Sequence, residues 1–266
     1  MAPPSIKLLG TGNAFLPQGR MHSLLLIDNR ALIDCPPTAL ASLRHNNISP
    51  AEIETILFTH WHGDHCFGFP FILLERKYIS DRSSTKTLNV HLPEGGVQRL
   101  RTLCDLAYPE SLEDVFESIH FDENINGDVN GIKGWKFERF GVLHDEVVDP
   151  HGYLLEHECG FRLMHTGDSG PCEAISSRTR ACDVVVIELG VPDHVETPHH
   201  FSPSKLRTLA SEHPSTTFIV THTWLDDPTC ERPAVLTNNL PDLPENCIQA
   251  SDGDSWNWID SGLISN

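Results

Sequence analysis

Three imidazoles and a carboxylate fall within six residues of Thr59-His60-Trp61-His62-Gly63-Asp64-His65-Cys66. The preceding Ile56-Leu57-Phe58 is an apolar run that suits a buried strand ending at Thr59. His60 and His62 stand two apart, so in extended chain both rings leave the same side. Gly63 then permits a sharp change of direction, after which Asp64 and His65 can face the same point from elsewhere. A helical zinc motif would instead space its histidines four apart. Imidazole and carboxylate donors without a thiolate partner suit zinc, with manganese or iron as alternatives.

Donor residues of the same kind recur downstream at the ends of apolar runs. Gly141-Val142-Leu143-His144 offers an imidazole, and Leu163-Met164-His165-Thr166-Gly167-Asp168 offers a carboxylate after a glycine turn. Phe218-Ile219-Val220-Thr221-His222 is a buried strand that ends on histidine, and Val184-Val185-Val186-Ile187-Glu188 is another buried strand. Between the last two lies Pro198-His199-His200-Phe201-Ser202-Pro203, just before a helix that includes Lys205 to Ser211. Strand alternation turns His165 away from Asp168, so His165 is read as structural. His22, His151, His157 and His199 carry no assignment.

The stretch from His60 to His65 resembles the His-x-His-x-Asp-His motif of the metallo-β-lactamase superfamily, and the match is complete. Leu9-Gly10-Thr11-Gly12, then Arg20, Ser23 and Leu32-Ile33-Asp34-Cys35, is similar to the opening of the tRNase Z and cyclic-phosphate phosphodiesterase branch. Ala250-Ser251-Asp252-Gly253-Asp254 with Trp256 resembles the closing strand of that family. The resemblance covers nearly the whole chain. It implies an α/β fold, a four-layer αββα metallo-β-lactamase sandwich with a one- or two-metal site at its rim. Carried over residue by residue, it gives His60, His62 and His144 to one divalent ion. Asp64, His65 and His222 go to a second, and Asp168 bridges both. His200 matches the histidine that faces the scissile phosphate in that branch. There it would hydrogen-bond a phosphate oxygen and help protonate the leaving alcohol. Asp64 and His200 are the candidate catalytic residues.

Two divalent ions about 3.5–4 Å apart can acidify a shared water to hydroxide and neutralise developing negative charge. The expected activity is hydrolysis of a small or cyclic phosphodiester by such a bridging hydroxide, with Zn²⁺ as the expected metal and Mn²⁺ or Fe²⁺ as alternatives. The rival enzymes are a lactone or amide ring-opening hydrolase and an arm-less tRNase Z-like endoribonuclease. A tRNase Z of the short type carries a long tRNA-gripping arm between the residues matching His144 and Asp168, whereas residues 145–167 here are mostly used by two strands. A single-iron sulfur dioxygenase uses a similar motif and is separable by metal assay. A non-catalytic metal-binding protein is opposed by the intact set of donors.

The 266 residues suit one domain, 1–266, and the hydrophobic share of 39% supplies a substantial core. No apolar run reaches the ~18 residues of a membrane span, and Met1 to Lys7 lacks a secretory signal pattern. Eight cysteines without a Cys-x-x-Cys pair read as free thiols, which points to the cytoplasm. Formal net charge is −18, which opposes non-specific nucleic-acid binding. One stretch runs the other way. Arg76, Lys77, Arg82, Lys86, Arg99 and Arg101 stand against Asp81 and Glu94 between residues 76 and 101, six against two. A solvated helix face is the expected reading. The partner expected is a small-molecule phosphodiester; structured RNA is disfavoured, no membrane partner is expected, and a homodimer stays open.

The remaining elements follow from pattern. A first strand spans Ile6 to Leu9, and a hairpin turns at Asp28-Asn29 between Ser23–Ile27 and Ala31–Ile33. Helices are predicted over Thr38–Asn46, Phe67–Ser80 and Val97–Ala107, with a further start at Ser49-Pro50. Strands are predicted over Leu88–Leu92, Trp135–Leu143, Gly152–Glu156 and Phe161–Thr166, and the Pro-rich 228–244 segment reads as a surface loop. Strand–helix alternation without repeats indicates a mixed α/β sandwich.

Overall fold

A computed structural model describes residues 3–82, 86–223 and 243–266. Its first strands, β1 (Ser5–Gly10), β2 (Leu24–Ile27) and β3 (Ala31–Ile33), form an antiparallel meander. Asp28 and Asn29 take φ of 49° and 56° in the turn from β2 to β3, a region that Asp and Asn tolerate better than most residues. The chain then alternates. α1 (Ala39–His45) leads to β4 (Thr55–Leu57), followed by α2 (Gly63–Cys66) and α3 (Phe69–Glu75). β5 (Asn89–His91), α4 (Gly96–Ala107), α5 (Glu113–Glu117) and β6 (His120–Asp122) complete this half. β3 to β6 pair in parallel, as strands joined by helical crossovers must.

The second sheet repeats the scheme. β7 (Asn126–Asp128), β8 (Trp135–Gly141), β9 (His151–His157) and β10 (Arg162–His165) pair antiparallel. α6 (Glu173–Thr179), β11 (Val184–Glu188), α7 (Pro203–Glu212), β12 (Thr217–Thr221) and β13 (Cys247–Gln249) follow, with β10 to β13 in parallel. β14 (Ser255–Ile259) and β15 (Gly262–Ser265) return to the first sheet beside β1. The strand orders are β15-β14-β1-β2-β3-β4-β5-β6 and β13-β12-β11-β10-β9-β8-β7.

Three apolar layers make this a four-layer αββα sandwich. Leu25, Ile27, Ile33 and Leu57 meet Tyr153, Leu155, Leu163, Val184 and Val186 between the sheets. Their neighbours Leu24, Leu26, Leu32 and Ile56 face outward onto Leu43, Phe69, Ile72, Leu73 and Leu100 of the helices. On the far side Met164, Val185, Ile187 and Phe218 pack on Ile175, Leu206 and Leu209. Because side chains alternate, strands covered on both faces must be apolar at every position. That is why β2, β3 and β11 read as continuous hydrophobic runs.

Several expectations are corrected. The single helix expected over Phe67–Ser80 begins earlier and is divided. Helix already forms at Gly63, restarts at Phe69 with Pro70 in its first turn, and widens into one π turn over Arg76–Ser80. Proline lacks the N–H that a continuing helix needs. At the π turn Arg76 reaches inward, donating to the Ile53 and Lys86 carbonyls and to Asp81. The Ala250–Asp254 segment is a turn, and the closing strand is the following β14. Asp252 in that turn accepts from Thr11 Oγ1 and from the Met21 amide, tying the C-terminal hairpin to the first. α5, α6, β6 and β7 lie outside those expectations, being short and, in β7, exposed throughout. Of the Pro-rich 228–244 segment, residues 228–242 lie outside the described residues.

The basic stretch dissolves as a patch. Arg76 pairs with Asp81, Lys77 with Asp114 and Arg101 with Glu117, so half of its cations serve the fold. No helix among the described residues is long and apolar enough to cross a membrane.

The thiols give a test of the layering. Cys35, Cys66, Cys104 and Cys182 are buried and unpaired, whereas Cys159 is exposed. Burial pushes the thiols of Cys66, Cys104 and Cys182 up to about 12 and raises Cys35 well above the usual range. Iodoacetamide followed by peptide mass mapping should modify Cys159 in the native protein. The four buried thiols should react only after unfolding, because the thiolate is the nucleophile. Fast native labelling of Cys66 would contradict the packing of α2.

Candidate metal centre

The site lies where β4, β8, β10 and β12 deliver their C-terminal loops to one end of the sandwich. Seven residues converge there, in two groups that share Asp168. One holds His60, His62, His144 and Asp168, and the other Asp64, His65, Asp168 and His222. Within each group the donor atoms lie within 4.8 Å of one another. All seven positions expected from the sequence are therefore brought together.

β4 ends just before Thr59, and extended chain from there projects His60 Nε2 and His62 Nδ1 to within 3.1 Å of each other. His144 Nε2 reaches His62 Nδ1 at 3.2 Å from the loop after β8. His62 is extended (φ −66°, ψ 149°) and starts α2, so Asp64 and His65 sit on a first helical turn. Gly63 contributes by space and not by an unusual φ. A Cβ there would lie 2.9 Å from the Phe67 ring. Gly167 is different. Its φ is +62°, and a Cβ would meet the His151 carbonyl oxygen at 2.6 Å, so the turn that aims Asp168 requires glycine.

Asp168 reaches both groups. Its Oδ2 is 3.9 Å from His60 Nε2 and 3.4 Å from His222 Nε2, and its Oδ1 is 3.4 Å from His65 Nε2. Asp64 Oδ2 lies 3.2 Å from His222 Nε2 and 3.4 Å from His65 Nε2.

The outer ring nitrogens fix the tautomers. Thr59 Oγ1 donates to Asp34 at 2.8 Å and so accepts from His60 Nδ1 at 3.0 Å. His65 Nδ1 donates to Asp34 Oδ2 at 2.7 Å, and His144 Nδ1 to the His199 carbonyl at 3.1 Å. Each leaves Nε2 aimed inward, the arrangement that metal-binding imidazoles use. His65 Nε2 is buried with no hydrogen-bond partner among the described residues. Acceptor nitrogens facing one another at such distances, beside two carboxylates, form a donor set that fits a pair of cations. Zinc, manganese and iron all accept nitrogen and oxygen ligands of this kind.

Burial lowers the affinity of His60 and His144 for protons, keeping them neutral as ligands must be. Burial also opposes ionisation of Asp64 and Asp168. Protonated His65 and His222 outweigh it, His65 chiefly for Asp64 and His222 chiefly for Asp168, and hold both carboxyls well below the usual range, a positive charge that bound cations would supply in their place.

Two carboxylates with no assigned role complete the site. Asp34 accepts from the Thr59 amide at 2.8 Å as well as from Thr59 Oγ1 and His65. Glu188, at the end of β11, accepts from His200 Nδ1 at 2.8 Å and from the Ser169 amide at 3.2 Å. The signal for both was an acid closing an apolar strand, which alone says nothing about its partner. His200 stands 4.9 Å, ring to ring, from His144. Burial opposes its protonation, but Glu188, Asp168 and Asp64 more than offset that and raise its pKa. His199 is exposed and contributes its carbonyl. His165 is structural, accepting from the Gly167 amide at 3.1 Å, with burial pushing it down to about 4. His22 is buried against Thr38, within electrostatic reach of Asp64, His65 and His222.

A family model described as anti-Pycsar protein Apyc1 matches residues 4–227. Ribonuclease Z of Pyrobaculum islandicum is 24% identical over 218 residues, covering 73% of this chain and 76% of its own. Among solved structures, the metallo-β-lactamase fold protein YhfI from Bacillus subtilis superposes with a TM-score of 0.73 at 14% identity, covering 96% of this chain and 99% of its own. A diphosphatase from the PhnP family gives 0.69 at 18% identity, covering 95% and 96%. At such identities the structural likeness speaks for the fold, and the fold is that of the metallo-β-lactamases.

Asp34 can be tested directly. An amide in its place cannot accept all three bonds, because half of its polar atoms are donors. Asp34→Asn should lower unfolding stability by about 1–3 kcal/mol and metal affinity about 10- to 100-fold. Denaturant titration and metal retention against a competing chelator would measure the two effects. Unchanged retention would remove Asp34 from the support of the site.

Proposed function

The chain belongs to the family of the anti-Pycsar protein Apyc1, and from that premise we propose that it is a dinuclear metal-dependent phosphodiesterase acting on a small or cyclic phosphodiester. The observation that carries this reading is the placement of His200, backed by Glu188, beside a seven-donor cluster fit for two cations.

His60, His62 and His144 would hold one ion and Asp64, His65 and His222 the other, with Asp168 shared between the two groups. Zinc is the proposed metal. When bound, the pair supplies an acidified water and neutralises charge developing on the phosphoryl oxygens. The chain's own groups do the rest. Asp64 uses Oδ2 toward His222 and keeps Oδ1 to orient the attacking water. Glu188 accepts from His200 Nδ1, so Nε2–H faces the substrate. The water gives one proton to solvent before its oxygen bonds to phosphorus, and as the ester P–O bond breaks His200 Nε2 passes its proton to the leaving alkoxide. The Glu188 carboxylate at 2.8 Å from Nδ1 suits His200 to carry that proton.

Substrate size follows from charge and shape. Residues 145–167 are taken up by β9, β10 and short turns, leaving no arm at the position where one would grip tRNA. The basic residues of 76–101 are half consumed by internal pairs, and RNA binding needs many phosphate contacts. The rival reading, an arm-less tRNase Z, draws on the name of the Pyrobaculum relative.

Protein purified without added metal should carry close to two transition-metal ions per chain by elemental analysis. The same sample should hydrolyse bis-aryl or cyclic phosphodiesters with far higher kcat/KM than precursor tRNA at physiological salt. Site-specific, efficient cleavage of precursor tRNA would establish the rival instead, and activity on lactones alone would remove both.

His200→Ala should lower kcat about 10²-fold or more, the usual size of a lost general acid, with metal content intact. The loss should shrink for esters with good leaving groups, which need no proton. An equal loss on activated and unactivated esters would rule out proton donation.

A further inference from the structure

His22 stands beside the metal centre without belonging to either donor group. It lies two residues before β2, and Gly12 bridges to it on one side and to Thr223 on the other. Its neighbour Ser23 places Oγ 3.0 Å from Thr221 Oγ1. His222 sits between Thr221 and Thr223, so the His22 segment and the His222 segment run past each other at the rim of the sandwich. With Ser23 turned to Thr221, alternation turns His22 to the other face, toward the start of α1.

There Thr38 Oγ1, at the N-cap of α1, accepts from the His22 backbone N–H at 3.0 Å and lies 3.3 Å from ring Nδ1. The Thr38 hydroxyl proton has no other acceptor among the described residues. It therefore goes to Nδ1, which leaves the ring proton on Nε2. His22 is only 8% exposed, yet Nε2–H has no acceptor among the described residues. Unlike the orphaned nitrogens of His65 and His222, it is not sealed from solvent. Burial lowers the affinity of the ring for protons, and the charged groups that act on it are Asp64, His65 and His222. His22 is thus a neutral imidazole with one unused N–H, on the side of the centre that holds the second donor group. His200 flanks the first group, 4.9 Å from the His144 ring.

We propose that His22 Nε2–H donates to a phosphoryl oxygen of the substrate, a contact distinct from the proton transfer assigned to His200. The ester named here rests on the phosphodiesterase reading, whereas the contact itself asks only that the centre take a tetrahedral oxyanion. A fixed donor of this kind stabilises charge developing on an oxygen and costs no rearrangement when the reaction occurs. A lysine or arginine in its place would pair with Asp64. A neutral ring held by Thr38 keeps its N–H for the substrate.

The test uses the metal-loaded full chain and inorganic phosphate as probe. His22→Phe keeps a ring but removes the donor, and His22→Gln restores an N–H at similar reach. Calorimetric titration should show phosphate bound about tenfold or more weaker in His22→Phe, with most of the loss recovered in His22→Gln. On diesters, kcat/KM should fall by one factor for good and poor leaving groups alike, because holding an oxygen does not depend on the departing alcohol. Metal content and melting temperature should match the wild type. Thr38→Val, which frees the tautomer and leaves the ring, should weaken phosphate in the same direction if His22→Phe melts early. Unchanged phosphate binding in both variants would overturn the contact. Loss of metal in step with phosphate would also overturn it, by making His22 a support for the ligands, and so would a loss confined to poor leaving groups. A wild type that binds phosphate through His22 but cleaves no diester would remove the phosphodiesterase reading and leave the contact standing.

Discussion

Asp34 is the buried carboxylate on which the rest of the centre depends. It leaves the end of β3 with φ +71° and accepts from the Thr59 amide, the Thr59 hydroxyl and His65 Nδ1. One residue thereby joins β3, the chain leaving β4, and α2. A carboxylate buried without such partners would cost several kcal/mol. The three donors therefore cannot move independently, and the orientation of His60 follows through Thr59. The same contact that satisfies the buried charge sets two ring tautomers.

Around it, two strained residues stand where donors are aimed. His222 holds φ +53° and Asp34 φ +71°, a region costly for residues with a Cβ. His222 leaves β12 after four buried positions and must turn at once to face Asp64 and Asp168. The parallel pairing of β10, β11 and β12 over-determines the strand ends and holds that turn. Rigid strands thus position the loops that carry the donors.

Charge is distributed to match. The carboxylates of the centre are held ionised by neighbouring imidazoles, so two cations would meet a pocket already organised for them. The few cations of an acidic chain are spent mainly on structure, as Arg76 shows by bonding two carbonyls and Asp81 from within the core.

The sequence by itself determined which seven residues the fold would gather at one point, and the class of the fold. Spacing of two along an extended chain aims His60 and His62 together whatever surrounds them, and histidine or aspartate closing an apolar strand marks a loop at the sheet's end. Continuous hydrophobic runs in β2, β3 and β11 likewise announced strands covered on both faces. What local pattern could not carry was partnership between distant residues. Asp34 and His65 are 31 positions apart, and nothing in either neighbourhood specifies the other. Glu188 reads as the polar end of a strand until His200 is seen against it. The helix expected over Phe67–Ser80 divides because Arg76 finds its acceptors on Ile53 and Lys86, outside its own helix. Hydrogen bonds between separated segments exist only once the chain has packed, and that packing alone decided which buried polar group answers which.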